Sequence, residues 1–481
     1  MNIYIKNHQF QYEIENLTRL FFPNEKIMIS DNSYAFAEPY IITERSDKIS
    51  VTVKIGNFYK TLTDFYSKSD SKNELSMASM LYKILCEYSG IKQPWGILTG
   101  VRPIKLLRSL IRHYGEEQTR SYFKNKLFVS DKKIDLAFQT ESAENKIIML
   151  SSKKSFSLYV SIPFCNSICS YCSFVSQSIT RAKHLMQPYT QLICKELKQT
   201  AQLAEDLKLN LESVYIGGGT PTALDAVHLE KILDTIATSF NMDGCREFTV
   251  EAGRPDTITG EKLAVLKSYN VNRISINPQT FQDDILVEIG RNHSSAHTYD
   301  AFELARNAGF ECINMDLIAG LPKDTVEGFS DTLDKTLLLN PENVTVHSLA
   351  LKRSAVLSEH SMKIHKESAM TVWKMLDISI EKLNLRKYKP YYLYRQSKMV
   401  GNCENIGFTK QGQEGFYNVF SMDETHSIFS CGAGGVTKLK QQSSGYIERI
   451  FNFKYPYEYI NRFDEITARK EQIRTFHEKF N

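Results

Sequence analysis

The chain has 481 residues, too many for one ordinary core, so two or three domains are expected. Hydrophobic residues make up 42% and charged residues 24%, the balance of a soluble globular protein, and a net charge of +4 gives no reason to expect a nucleic-acid partner or an anionic membrane surface. No apolar run reaches the ~18 residues that span a bilayer, and the start MNIYIKNHQFQYEIENL carries no charged-then-apolar signal pattern, so no membrane span and a cytoplasmic location are expected.

Three zones follow in chain order. In residues 1–150 the segments NIYI and SVTVKI alternate and read as strands, and helices are expected over 74–88 and 104–113. A turn-rich segment, Trp95-Gly96-Ile97-Leu98-Thr99-Gly100-Val101-Arg102-Pro103, lies between them, and the polar stretch 130–154 reads as a connection. This zone is an α+β domain with no assigned role.

Residues 151–369 are more regular. Strands are expected at 156–162, 213–216, 247–251, 273–277, 312–318 and 344–349, with helices at 188–207, 226–239, 259–269, 296–308 and 325–338. The βαβα alternation implies an α/β fold with a parallel sheet, either open or a partial (β/α)6 barrel, with chemistry gathered at the C-terminal strand ends. Residues 370–481 form a smaller C-terminal domain. It begins with a helix at 371–383, continues with an aromatic stretch at 388–394 that reads as a half-buried strand, and ends in a charged helix.

Nine cysteines without an export signal point to metal binding or catalysis rather than to disulfides. Three of them stand in Ile162-Pro163-Phe164-Cys165-Asn166-Ser167-Ile168-Cys169-Ser170-Tyr171-Cys172, just after the first strand of the regular zone. The CxxxCxxC spacing lets a short loop aim three thiolates at one iron–sulfur cube and leaves the fourth iron open to a small molecule. Structural zinc needs a fourth ligand that no nearby residue supplies, and a redox pair of Cys169 and Cys172 leaves Cys165 unexplained.

Further motifs fall at the ends of later strands. Tyr215-Ile216-Gly217-Gly218-Gly219-Thr220-Pro221 ends the second, where glycines let backbone approach a ligand. Glu251 ends the third and Gln279 follows the fourth; Arg291 comes in Gly290-Arg291-Asn292-His293, and Asp316 sits among apolar neighbours in the fifth. Asp316 needs a partner there, and an arginine is the structural reading.

CxxxCxxC after the first strand of a partial barrel resembles the radical S-adenosylmethionine (SAM) enzymes. With the GGGTPT, Pro278-Gln279, Gly290-Arg291 and Asn314-Met315-Asp316-Leu317-Ile318 motifs, residues 155–355 resemble the oxygen-independent coproporphyrinogen III oxidase group. Trp95-Gly96, Leu98–Pro103, Gly401-Asn402-Cys403-Glu404-Asn405-Ile406-Gly407-Phe408 and Cys431-Gly432-Ala433-Gly434-Gly435 look like its HemZ-type branch.

The resemblance implies a [4Fe–4S] cluster on Cys165, Cys169 and Cys172, whose open iron SAM chelates and whose electron splits the SAM C5′–S bond. It implies Tyr159, Tyr171, Gly218 and Glu251 as contacts of that SAM. Gly219, Thr220, Gln279, Arg291, Asp316 and Ala350 match positions that hold a second SAM in the oxidase proper. The implied reaction is oxidative decarboxylation of coproporphyrinogen III to protoporphyrinogen IX, with an electron donor such as flavodoxin or ferredoxin. No residue is assigned to catalysis itself.

Two departures count against that reaction. Ser161 stands where the oxidase proper has a histidine, and Phe174 stands where it has a further cysteine. Phe174 is the pattern of the haem-chaperone branch, so a haem-binding protein or another radical reaction on a tetrapyrrole stays open. A polyanionic substrate needs basic groups at the barrel mouth, for which Arg254, Lys352, Arg353, Arg395 and Lys398 are candidates against a plain surface reading. Cys403 and Cys431 read first as buried free thiols, and His347 as a satisfied core residue.

Overall fold

The computed structural model describes residues 1–30, 36–174, 176–350, 366–396 and 399–480; Lys352, Arg353 and Lys398 lie outside them. The chain divides into two compact units. One comprises Met1–Phe138, Met362–Trp373 and Tyr394–Glu404, and the other Gln139–Ser361, Lys374–Leu393 and Asn405–Asn481. Among the described residues no helix is long and apolar enough to cross a membrane.

The first unit is α+β. Its strands are β1 (Asn2–Lys6), β2 (Met28–Ser30), β3 (Tyr40–Arg45), β4 (Lys48–Ile55) and β5 (Phe58–Phe65), in the order β2-β1-β3-β4-β5. The alternation read in SVTVKI has its physical cause here: Ile49, Val51 and Val53 turn to a core shared with Ile3, Ile14, Leu17 and Leu81. The expected helix at 74–88 runs as Asp70–Ser89 and that at 104–113 as Pro103–Tyr114. The polar stretch read as a connection is instead largely a helix, Asp131–Ile148. Its buried stripe mixes Lys133, Thr140 and Glu144 with Ile134, Ala137 and Ile147, so polar residues interrupt the apolar period.

The second unit holds the barrel. Six parallel strands, β6 (Ser155–Ile162), β9 (Asn210–Gly218), β10 (Glu247–Glu251), β11 (Arg273–Ser275), β12 (Cys312–Ala319) and β13 (Asn343–Ser348), lie side by side in that order. Two two-residue strands, β7 (Phe164–Cys165) and β8 (Gln177–Ser178), pair with each other inside the cysteine loop. Later strands join the same sheet at both edges: β14 (Lys389–Tyr394) and β15 (Asn405–Thr409) beyond β13, and β16 (Ser427–Cys431), β17 (Val436–Lys440) and β18 (Ile447–Phe451) beyond β6. The chain is thus a partial (β/α)6 barrel whose sheet is extended from the C-terminal segment.

The helices between the strands follow the expected pattern. The first begins earlier than expected, as Ile179–Asp206, and carries Pro188 inside it. A proline reads as a helix start, but Ala182 and Met186 before it are drawn into the core and continue the helix.

Strand register divides the barrel sheet into two unlike faces. Outward residues such as Leu158, Ile216, Val250, Ile274, Met315 and Val346 are wholly buried, each contributing ~1.5–3 kcal/mol by leaving water. The cross-strand partners of the inner face are polar: Tyr159 opposite Tyr215, Tyr215 opposite Thr249, Glu251 opposite Ser275, Ser275 opposite Asn314, and Asp316 opposite Thr345. A polar interior suits a barrel that holds a ligand rather than one filled by side chains.

Candidate cluster and cofactor site

The cysteine loop leaves the top of β6. Its backbone is pinned from two sides: Ser170 N donates to Ile289 O at 3.0 Å and Ser167 Oγ to Gly290 O at 3.0 Å, while Asn166 Nδ2 donates to Asp256 Oδ2 at 3.1 Å. Cys165 and Cys169 are buried and Cys172 is half-buried, and all nine cysteines of the chain are free thiols. Thr220 Oγ1 donates to Cys165 Sγ at 3.5 Å and Arg254 Nη1 to Cys169 Sγ at 3.1 Å. Burial pushes the Cys172 thiol up to about 11, a cost that a metal removes by holding the thiolate.

Among the described residues no group of three His, Cys, Asp or Glu side chains converges on a single ion. A cuboidal cluster asks for something else, since each thiolate binds a different iron and the sulfurs stand apart.

The glycine loop at the top of β9 lies directly on the cysteine loop. Gly219 N donates to Ile162 O and Thr220 N to Phe164 O, both at 2.7 Å. A Cβ on Gly219 would stand 2.6 Å from Phe164 O and 3.0 Å from Cys165 Sγ, so only glycine fits. Gly218 has φ +104°, a left-handed conformation that side chains resist.

Below these loops, Tyr215 Oη donates to Glu251 Oε1 at 2.5 Å. Burial pushes the Glu251 carboxyl up to about 7; the Tyr215 bond opposes the shift and Asp316 adds to it. Tyr159, Tyr215 and Tyr417 stack, with ring centroids 6.2 Å apart for the first pair and 4.4 Å for the second. Tyr417 comes from the helix Phe416–Asp423 in the C-terminal segment, and no sequence signal ties it to the barrel.

Arg291 is buried and clamps the site from the loop that follows the helix Asp283–Glu288. Nη1 donates to Gly253 O at 3.2 Å and Asn277 O at 2.6 Å, and Nη2 to Tyr171 Oη at 3.1 Å. Gln279 has φ +69°; its N–H donates to Asp316 O and its carbonyl accepts from Ile318 N, both at 3.0 Å, which welds it to β12. Among the described residues two buried atoms here, Gln279 Oε1 and Arg291 Nε, have no partner, as expected of atoms that await a ligand. Asp316 Oδ1 accepts from Asn314 Nδ2 at 2.7 Å, and Oδ2 stands 3.6 Å from His347 Nε2. The partner of Asp316 is therefore a histidine rather than an arginine, and its carboxyl is held below the usual range by His347, Asn314 and Thr345 against the cost of burial. Ala350 follows β13, where Leu349 N donates to Ala319 O at 3.0 Å.

Other expectations change. Arg254 is neither a surface charge nor a free anion receptor: it is 3% exposed, and besides Cys169 it reaches Ser167 Oγ and Asp256. Arg395 is also buried, in the other unit, where it donates to Leu98 O at 2.7 Å and Asn402 O at 3.0 Å and lies over the Trp95 ring. Cys403 and Cys431 are buried free thiols, as expected, and burial pushes the Cys431 thiol up to about 12. His347 is half-buried rather than enclosed.

The profile of the radical SAM superfamily matches residues 159–336, the stretch that carries these motifs. The oxygen-independent coproporphyrinogen-III oxidase-like protein HemZ of Bacillus subtilis is 32% identical over 97% of this chain and 96% of its own length. The chain belongs to the HemZ family. The haem chaperone HemW of Bacillus subtilis is 33% identical over 58% of this chain and 70% of its own. Coproporphyrinogen III oxidase (HemN) of Escherichia coli, described as a radical SAM enzyme, shares the fold with a TM-score of 0.52 at 22% identity, covering 69% of this chain and 73% of that one. As a radical SAM protein of the HemZ family, the chain uses a [4Fe–4S] cluster and SAM. The donor set fits that pair: three loop thiols with arginine and threonine donors beside them, a glycine cradle closed to side chains, and unpartnered polar atoms alongside.

Proposed function

We propose that this HemZ-family protein carries out a radical SAM reaction on a tetrapyrrole, the oxidative decarboxylation of coproporphyrinogen III to protoporphyrinogen IX. What supports the reading is the lock between the cysteine loop and the glycine loop at the top of a polar-lined barrel, in a chain similar over nearly its whole length to a coproporphyrinogen oxidase-like protein. Cys165, Cys169 and Cys172 hold the cluster. Tyr159, Tyr171, Gly218 and Glu251 contact the SAM on it, and Gly219, Thr220, Gln279, Arg291, Asp316 and Ala350 are the places for a second. The cluster and SAM together supply one-electron cleavage and a group that removes a hydrogen atom from substrate.

The chain's own residues position and exclude. The Tyr159–Tyr215–Tyr417 stack walls the interior, and the Tyr215 hydroxyl orients the Glu251 carboxyl. Arg254 and Arg291 hold the cysteine loop in register with the strand ends, so a C–H bond set in the barrel keeps a fixed relation to the loop. The protein works in the cytoplasm and takes its electron from a donor such as flavodoxin or ferredoxin.

A second reading rests on Phe174, which is 64% exposed beside the cysteine loop and stands where the oxidase proper has a cysteine. It favours a haem-binding, chaperone-like protein. One anaerobic experiment decides. The reconstituted, reduced protein is given SAM with and without coproporphyrinogen III, and 5′-deoxyadenosine and tetrapyrrole masses are followed. Substrate-dependent deoxyadenosine with loss of two CO2 from the tetrapyrrole is the expected result. Tight stoichiometric haem binding without turnover replaces it with the second reading.

A further inference from the structure

The polar inner face of the barrel carries two basic side chains on its strands, Arg273 and His347. Arg273 stands at the start of β11 and is fully committed: Nη2 donates to Gln413 O at 2.9 Å and Glu414 O at 3.0 Å, Nη1 donates to Asn343 Oδ1, and Nε faces Glu247 at 3.9 Å. His347 stands at the opposite end, near the top of β13 and opposite Ile318. In the loops above, Arg254 is held on the cysteine loop, and Arg291 gives both terminal nitrogens to Gly253 O, Asn277 O and Tyr171 Oη, which leaves only its Nε over.

His347 is arranged differently. Asp316 stands at its Nε2, itself oriented by Asn314, and among the described residues Nδ1 has no hydrogen-bond partner. A carboxylate behind one ring nitrogen fixes the ring and presents the other nitrogen to a ligand. His347 is half-buried, as are Tyr159, Tyr215, Glu251 and Asp316 on the same face of the sheet. Without His347 the upper level of the inner face would carry only the carboxyls of Glu251 and Asp316, which repel a further carboxylate.

We propose that His347 is the residue that recognises a substrate carboxylate in the barrel, with Asp316 as its positioning partner. In the complex Nε2 faces Asp316 and Nδ1 faces a propionate of the tetrapyrrole. This rests on the tetrapyrrole reading above and names the group that selects its acid side chains.

The test is equilibrium binding to the anaerobically reconstituted protein, using coproporphyrin III and its tetramethyl ester as probes followed by the porphyrin absorption band. His347→Phe removes the donor and keeps a ring of similar shape. His347→Gln keeps a donor toward Asp316, which guards against misfolding. Loss of a charge-assisted hydrogen bond predicts a Kd for the acid raised about tenfold or more in both variants, with the ester bound as weakly by the variants as by the natural chain. Equal binding of the acid by the natural chain and both variants overturns the inference and leaves the tetrapyrrole reading standing. Equal loss for acid and ester also overturns it, since His347 then shapes the cavity without reading charge. Failure of the natural chain to bind either probe removes the tetrapyrrole reading and the inference with it.

Discussion

The two ends of the barrel interior are both polar, but they are built on opposite principles. At the N-terminal end every strong group is answered. Glu247 accepts from Thr249 Oγ1 at 2.8 Å and from Phe416 N at 2.5 Å, Asn343 Nδ2 donates to Gln413 O at 2.7 Å, and Arg273 is held as described. His426 is bracketed by Ser157 Oγ at 2.8 Å and Ser151 Oγ at 2.7 Å, and burial pushes its ring down to about 3, so it serves as a neutral bridge. At the C-terminal end valences are left over: among the described residues Gln279 Oε1, Arg291 Nε and both nitrogens of His293 have no partner, and the Glu251 carboxyl is displaced to about 7 by burial. Saturated polar networks give rigidity, whereas unmet valences and displaced carboxyls mark the place where a ligand completes the structure.

The largest effect that sharpens this contrast is at the open end. Cys169→Ala removes a cluster ligand, and deoxyadenosine formation should fall to background with iron content strongly reduced. Retained iron and SAM cleavage would sink the assignment. At the closed end, Arg273→Met leaves Glu247 buried without its cation, and a loss of about 3–5 kcal/mol is expected in denaturant unfolding. A change no larger than that of a surface substitution would break the contrast from that side.

A smaller effect is expected from Gly219→Ala, whose methyl must push against Phe164 O and Cys165 Sγ. Overpacking of this kind costs about 1–3 kcal/mol, and here it should appear first as poor cluster reconstitution, measured by iron and sulfide content. The mildest effect is a pH slope. A carboxyl raised on folding holds its proton more tightly in the folded chain, so the stability it contributes is complete below the ordinary carboxyl range and is lost as pH rises through about 7. Glu251→Gln should flatten that part of the stability profile. An unchanged slope would show that Glu251 is hydrated rather than buried.

Much of this was legible in the sequence because the relevant periods are local. All six barrel strands follow from short apolar runs at regular spacing, and the cysteine and glycine loops fall at strand ends because their motifs directly follow those runs. The helix Asp131–Ile148 was hidden because Lys133, Thr140 and Glu144 interrupt the apolar stripe of Ile134, Ala137 and Ile147. Arg254 misled for the opposite reason: an arginine in a turn reads as surface, and only the return of the cysteine loop over it supplies an acceptor.

The sequence by itself determined the alternation of strands and helices, the cluster-binding loop and the glycines that must lie beside it, since each depends on spacing within a few residues. Tertiary structure decided the rest. It set which valences are filled and which stay open, that Asp316 meets His347, that Tyr417 joins Tyr215 from the C-terminal segment, and that β16 pairs with β6. Those contacts join residues far apart in the chain, and no local pattern encodes a partner that only the closing of the sheet brings within reach.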